Sequence, residues 1–172
     1  GRMRGFQLWL NLPASHKMNP AAYRDIPAAE IPSLAPAPGV RLKLIAGRLD
    51  LADGPFEGAA RGSPTEPLFL DLRLDPGARF TVPLPAGHNA FLYVYEGAAT
   101  VGPDARPLPH RAAGVLGPGD AVELAAGAAG ARLLALAGRA PGGPGGQDGP
   151  VVMNSRGQIE QGILDYQQGR RG

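Results

Sequence analysis

Alternating apolar and polar residues mark out a series of short strands along the chain. Leucine occupies every second position over 68–74, and the Asp-Pro-Gly turn at 75–77 returns the chain through Phe80 and Val82. A two-residue hydrophobic period indicates half-buried strands. Similar short apolar runs lie at 40–44, 99–101, 114–116, 122–124 and 132–137. These runs predict an all-β sandwich or barrel, and a closed barrel is favoured because closure removes exposed strand edges.

The central strand of this pattern lies in the stretch Pro83–Gly97. A proline-rich corner leads into apolar residues over 91–95, and Glu96-Gly97 is a plausible start of a tight turn. His88 lies in the corner, where it could act as a base in a pocket. A histidine beside a Pro-Gly corner is more often a turn residue satisfied by backbone hydrogen bonds, and that interpretation is favoured.

Other candidate functional side chains also have structural explanations. Aromatic residues at strand spacing could line a ligand pocket but more often form the core or a sheet face; these are Phe91, Tyr93 and Tyr95. Three carboxylates could serve acid-base chemistry, although nothing in the sequence pairs them; these are Asp71, Glu96 and Asp120. We therefore interpret the carboxylates as turn or cap residues.

The two ends of the chain differ from the central strands. Apolar residues alternate from Phe6 to Leu12, which predicts a strand, and Pro13 ends it. Prolines then interrupt residues 13–39, which predicts an extended linker. Residues 139–150 have the composition of a flexible loop. Ser155 with Gln158 fits a capping box, and apolar residues at helical spacing predict a packed C-terminal helix.

Composition excludes several classes of function. The 17 basic and 15 acidic residues nearly balance, and the arginines are scattered, so binding to nucleic acid through a basic face is not expected. Cysteine is absent, which excludes disulfides, thiolate metal ligands and cysteine nucleophiles. No apolar run has the length of a membrane-spanning helix and no signal peptide is evident, so a cytoplasmic location is expected.

Several segments together resemble the pirin family. They are Gly5-Phe6-Gln7-Leu8-Trp9-Leu10-Asn11-Leu12-Pro13, Lys17-Met18 and Tyr23 in the connector, Leu84-Pro85-Ala86-Gly87-His88-Asn89-Ala90-Phe91, Tyr93-Val94 with Glu96-Gly97, Gly149-Pro150, Met153-Asn154, Ile159-Glu160 and Asp165-Tyr166. Pirins are cupin proteins with two β-barrels in tandem. The resemblance implies a cupin, or jelly-roll-type, β-barrel with a C-terminal α-helix.

The resemblance also divides the chain into parts. It implies that residues 1–12 are the last strand of an N-terminal cupin barrel that is mostly missing, 13–39 a linker, and 40–138 the C-terminal cupin barrel. Residues 139–153 would be a Gly/Pro-rich loop, and 154–172 a helix and tail. The missing barrel is then the expected partner of this chain.

In pirins, iron is held in the N-terminal barrel by three histidines and a glutamate. The corresponding His-Pro-His and His-Ser-Glu motifs do not occur in this sequence. Counting back from Gly97 to where cupins place a His-x-His pair gives Leu84 or Pro83, then Ala86 or Pro85. The remaining histidines, His16 and His110, lie far from His88 in sequence. We therefore expect no catalytic, cofactor-binding or metal-binding residue in this chain.

Two functions from different classes remain open. The chain could be a structural part of a metal-dependent, quercetin-type dioxygenase whose active site lies in the N-terminal barrel. Alternatively, it could be a non-catalytic cupin module that binds a protein partner, for example as a transcription cofactor. The sequence predicts no direct contact with nucleic acid or with a membrane in either case.

Overall fold

A computed structural model describes residues 3–20, 22–142, 145–149 and 151–170. The chain divides into two compact units, one formed by Asp25–Ala140 and the other by Gly1–Arg24 with Pro141–Gly172. The strands in chain order are β1 (Ser33–Ala37), β2 (Val40–Ala46), β3 (Arg48–Leu51), β4 (Gly54–Glu57), β5 (Leu68–Leu74), β6 (Arg79–Pro83), β7 (Asn89–Val101), β8 (Arg106–Leu108), β9 (Ala113–Val115), β10 (Ala121–Gly138), β11 (Gly146–Asp148) and β12 (Val151–Met153). Helix α1 spans Arg156–Gln167, and two 3-10 turns span Ala14–His16 and Ala28–Glu30.

Two long strands, β7 and β10, hold the larger unit together. The sheet has the order β1-β2-β5-β10-β7-β8, while β6 also pairs with β10 and β9 with β7. The second half of β10 pairs with β5, and its first half pairs with β6. Leucines and valines on one face of these strands are 0–2% exposed, as the alternation requires; they include Leu44, Leu70, Leu72, Leu92, Val94 and Leu133. The predicted cupin-type β-barrel with a C-terminal helix is therefore confirmed.

The predicted turn at Glu96-Gly97 is wrong, because β7 continues through both residues to Val101. Gly97 has φ +71, and the register between β7 and β10 shifts at this point. A Cβ at position 97 would lie 2.1 Å from the carbonyl oxygen of Gly130 on β10. Gly97 therefore lies in a bulged part of a continuous strand, and the local sequence does not distinguish such a bulge from a chain reversal. In the same way, β10 joins the runs at 122–124 and 132–137 into one strand.

The barrel begins earlier than predicted. Residues 13–39 include both 3-10 turns and strand β1, which pairs with β2, so this segment is not only a linker. Pro36 is tolerated because β1 lies at the edge of the sheet, where a missing N–H leaves no ladder bond unmade. The hairpin of β3 and β4 was not predicted, because its four-residue strands are too short to show a clear period.

In the unit that contains both termini, the predicted strand Phe6–Leu12 does not form within the described residues. A strand requires a hydrogen-bonded neighbour, and none of the sheets described here includes this segment. The Gly/Pro-rich loop predicted for 139–153 contains the hairpin of β11 and β12, which the glycine-rich composition concealed. Pro150, part of the family resemblance, lies outside the described residues.

The capping signal of the C-terminal helix is confirmed. The Ser155 hydroxyl accepts a hydrogen bond from the Gln158 backbone N–H at 3.4 Å. The Gln158 side chain in turn accepts from the backbone N–H of Asn154 at 3.1 Å, one residue earlier than in the usual capping box. Ile159 is buried in α1 and contacts the β11–β12 hairpin at Gly146. In the described part of the chain, no helix combines the length and apolar character needed to cross a membrane.

Candidate functional site

A cavity of about 550 Å³ lies within the larger unit, between strands β6 to β10 and the loops that join them. We call it the barrel cavity. Its apolar wall is formed by side chains of the inner sheet faces and adjoining loops, including Leu84, Ala90, Leu92, Val101, Leu108 and Leu116. Its polar residues are Thr81, His88, Asp104, Arg106 and Glu123. Leu84 is one of the positions at which strand counting predicted the place of a cupin ligand.

Among the polar residues that line the barrel cavity, His88 has the most deeply buried side chain. Its side chain is 4% exposed, and its Nδ1 atom has no hydrogen-bond partner. The backbone N–H of His88 donates to the carbonyl of Pro85 at 3.2 Å, so the predicted turn is present. The expectation that backbone hydrogen bonds satisfy its side chain is wrong, because the turn uses the main chain and leaves Nδ1 without a partner.

A carboxylate and an arginine lie on the other side of the imidazole. The Nε2 atom of His88 is 3.7 Å from Oε2 of Glu66, which is too long for a hydrogen bond but within ion-pair range. Glu66 also accepts a hydrogen bond from Arg139 at 2.9 Å. The Arg139 backbone N–H donates to Thr65 at 2.8 Å, which anchors this arginine beside Glu66. We call Glu66, His88 and Arg139 the His88 cluster.

The acidic member of the His88 cluster favours one imidazole tautomer. A carboxylate facing Nε2 favours the form with its proton on that nitrogen, because the ionised carboxylate can only accept. In that tautomer Nδ1 is a hydrogen-bond acceptor. The sequence indicates His88 as a candidate but not Glu66 or Arg139, since no local motif connects these residues.

The remaining polar residues lie at the solvent-exposed edge of the barrel cavity. The side chains of Asp104 and Arg106 are 78% and 83% exposed and lie 3.9 Å apart. Thr81 and Glu123 face each other across β6 and β10 and are also exposed. Because water screens exposed charges, these groups contribute little to stability.

The lining of the barrel cavity does not fit an iron or zinc site. Such a site needs three or four imidazole or carboxylate ligands that converge. Among the described residues, no group of three or more His, Asp or Glu side chains could hold a metal ion. His16 interacts with Ser15 at 2.9 Å, and His110 lies in the exposed turn between β8 and β9.

The aromatic residues of β7 lie on a sheet face, as predicted. They alternate with the buried Leu92 and Val94 and are not among the residues that line the barrel cavity. These aromatic residues are Phe91, Tyr93 and Tyr95. The proposed turn roles of two carboxylates are wrong: Asp71 lies within β5 and accepts from Tyr95 Oη at 2.7 Å, and Glu96 lies within β7, 3.9 Å from Arg132. Asp120 lies in the turn before β10, as predicted.

Comparisons with known proteins agree with this architecture. Residues 69–172 match the family described as the Pirin C-terminal cupin domain. A putative quercetin 2,3-dioxygenase of Pseudomonas aeruginosa is 46% identical over 170 residues, which cover 98% of this chain and 59% of that protein. Human pirin is 36% identical over 172 residues, covering 98% of this chain and 57% of pirin.

A solved structure of a quercetin 2,3-dioxygenase from Acinetobacter baumannii superimposes with a TM-score of 0.84 at 33% identity. The superposition covers 95% of this chain and 55% of that one. The chain thus spans less than two thirds of the length of each of these relatives. Its cupin-type barrel, its C-terminal helix and the matched segment together show that the chain belongs to the pirin family and contains the family's C-terminal cupin domain.

Proposed function

We propose that this chain is the C-terminal part of a pirin-type quercetin 2,3-dioxygenase, in which it has a structural role. The observation that supports the proposal best is the extent of the matches. A relative named as a putative quercetin 2,3-dioxygenase matches this chain over 98% of the chain but over only 59% of its own length. The rest of that relative is long enough for a second cupin barrel, in which we expect the iron to be held.

The lining of the barrel cavity supports a structural role for this domain. Its described lining offers one deeply buried imidazole, His88, and carboxylates only at its exposed edge. Iron in the parent protein would therefore be held by the other barrel, and the chemistry of oxygen would take place there. The domain described here would contribute its β-sheets as a support.

The segment before the barrel has the properties of a strand that belongs to another domain. Trp9, Leu10 and Leu12 are 61%, 46% and 38% exposed in this chain, and residues 6–12 form no strand within the described residues. Exposed apolar side chains in an alternating sequence are typical of a strand that completes a sheet in another domain. We propose that residues 6–12 become the last strand of the N-terminal barrel.

The metal assignment is tested by comparing this 172-residue chain with the product of the complete gene. Both are incubated with ferrous iron, treated with a chelator and desalted, and iron is measured by elemental analysis. Quercetin consumption and oxygen uptake are then followed. We expect retained iron and quercetin oxidation only with the complete product. One retained iron per 172-residue chain, or a complete iron-loaded product that leaves quercetin unchanged, would overturn the proposal.

Hydrogen exchange tests the proposed strand separately. We expect the amides of residues 6–12 to exchange rapidly in the 172-residue chain and slowly in the complete product, because a ladder protects them only when a neighbouring strand is present. Equal exchange in both samples would show that this segment does not complete a sheet.

A further inference from the structure

We propose that the barrel cavity is a second binding site, which takes a small uncharged molecule with an apolar body and a hydroxyl group that donates to Nδ1 of His88. This inference goes beyond the proposed function, because it concerns a site in the C-terminal barrel itself and requires no metal. It depends on two independent features of the described residues. One is the size and lining of the cavity, and the other is the unsatisfied imidazole in its wall.

The barrel cavity has the dimensions of a small-molecule site. Its volume of about 550 Å³ falls inside the usual range for ligand pockets. Its wall includes buried apolar residues, for example Ala90, Leu92 and Leu108, which are 8%, 1% and 7% exposed, together with the exposed polar residues at its edge. Pockets that combine apolar surface with a few polar groups are typical of sites where burial supplies affinity and one or two hydrogen bonds fix orientation.

The imidazole of His88 provides the polar group. Its Nδ1 atom is shielded from solvent and has no hydrogen-bond partner, an arrangement that costs free energy in the empty protein. Nε2 lies toward Glu66, which is not part of the cavity lining, whereas His88 itself is part of that lining. A ligand that donates to Nδ1 would satisfy this nitrogen and recover the free energy.

A small rotation of the ring is needed for this contact. The bond between Cβ and Cγ of histidine has a broad torsional minimum, so a modest rotation is inexpensive. The distance of 3.7 Å between His88 Nε2 and Glu66 Oε2 leaves the ring without a hydrogen bond that would hold it in one orientation. Binding of the ligand requires this rotation to bring Nδ1 to the cavity surface.

The charges around the site favour an uncharged ligand with a donor group. The carboxylate of Glu66 is already paired with Arg139 at 2.9 Å, and it favours the imidazole tautomer in which Nδ1 accepts. The edge of the cavity carries two acidic residues, Asp104 and Glu123, and one basic residue, Arg106. This balance does not favour an anion. A hydroxyl compound fits both the acceptor and the apolar wall.

Binding of phenol, toluene and benzoate to the 172-residue chain tests the effect of the hydroxyl donor and of a negative charge. Phenol has the hydroxyl donor, toluene replaces it with a methyl group of similar size, and benzoate carries a negative charge. Dissociation constants are measured by titration of amide resonances in NMR spectra, together with the ring signals of His88. We expect phenol to bind about tenfold more tightly than toluene, because one buried hydrogen bond has about this effect. Benzoate is expected to bind more weakly than phenol.

Three variants test whether the preference for phenol over toluene depends on His88. His88→Phe keeps a planar ring without the acceptor and should reduce the ratio between phenol and toluene to about one. His88→Gln retains an acceptor in its amide oxygen and should recover part of the preference. His110→Phe is the matched control, since His110 is exposed and outside the cavity lining, and it should keep the full preference.

Several results would overturn the proposal. They are equal affinity of the native chain for phenol and toluene, tighter binding of benzoate than of phenol, or no saturable binding of phenol. An unchanged preference for phenol in folded His88→Phe would also overturn it. If neither His88 variant folds, the native chain still decides: the proposal requires phenol, but not toluene, to shift the ring nitrogen signals of His88.

Discussion

Replacing Gly97 by alanine tests the bend that lets β7 and β10 run through the whole barrel. Gly97 has φ +71, in the left-handed region where alanine costs roughly 1–2 kcal/mol. Its Cβ would also lie 2.1 Å from the carbonyl oxygen and 2.9 Å from the carbonyl carbon of Gly130. Both atoms belong to the backbone, so relief requires movement of β10 rather than of a flexible side chain.

A control glycine separates the conformational cost of the positive φ from the steric cost of the added Cβ. Gly102 follows β7 and has φ +73, but a Cβ there would meet no atom within 4 Å. Gly102→Ala therefore bears the conformational cost alone, about 1–2 kcal/mol. Forced overpacking typically adds about 1–3 kcal/mol, so we expect Gly97→Ala to lower the free energy of unfolding by about 2–5 kcal/mol.

Urea denaturation followed by far-UV circular dichroism measures both changes. Tryptophan fluorescence would be a poor signal, because Trp9 is 61% exposed and lies outside the barrel unit. The two variants differ only in the cost of the close approach between the strands. We expect the free energy of unfolding of Gly97→Ala to be lower than that of Gly102→Ala by at least about 1 kcal/mol. If Gly97→Ala and Gly102→Ala have equal effects, the bulge is not the constraint that the structure indicates.

Three further substitutions test local features. Gly157→Ala should stabilise α1 by up to about 1 kcal/mol, because a Cβ there meets no atom within 4 Å and alanine is the better helix former. Ser155→Ala should weaken the same helix by about 0.5–1 kcal/mol through loss of its cap to Gln158. Hydrogen exchange of the α1 amides measures both effects. If the two substitutions changed the protection of these amides in the same direction, the cap assignment would be contradicted. Tyr95→Phe removes the 2.7 Å hydrogen bond to Asp71 and should destabilise the barrel by about 1–2 kcal/mol in urea; an unchanged midpoint would contradict this contribution.

The sequence predicted those elements whose structure depends on local periodicity. Strands β2 and β5 have clear alternation, and α1 has both a cap and helical spacing. The prediction was wrong at β1, because proline usually breaks strands and its edge position was not visible in the sequence. It was also wrong at Gly97, because a glycine in a bulge and a glycine in a turn have the same local signature. Only cross-strand pairing distinguishes the two.

The His88 cluster shows how such pairing determines the environment of a site. Leu84, one of the positions reached by counting back from Gly97, lines the barrel cavity. The partners of His88 depend instead on register. Leu68 pairs with Ala137, so the residues just before β5 and just after β10, Glu66 and Arg139, come together although they are 73 positions apart.

The other neighbour of β10 completes the cluster. Gly138 pairs with Asn89 at the start of β7, which brings the preceding residue, His88, beside Arg139 and Glu66. Two registers of one strand thus bring a carboxylate, a guanidinium group and an imidazole together at one end of the sheet. No residue pattern near His88 encodes this arrangement, but it follows once β10 is known to lie between β5 and β7. A change that shifts either register should therefore separate His88 from Glu66 even when the barrel remains folded.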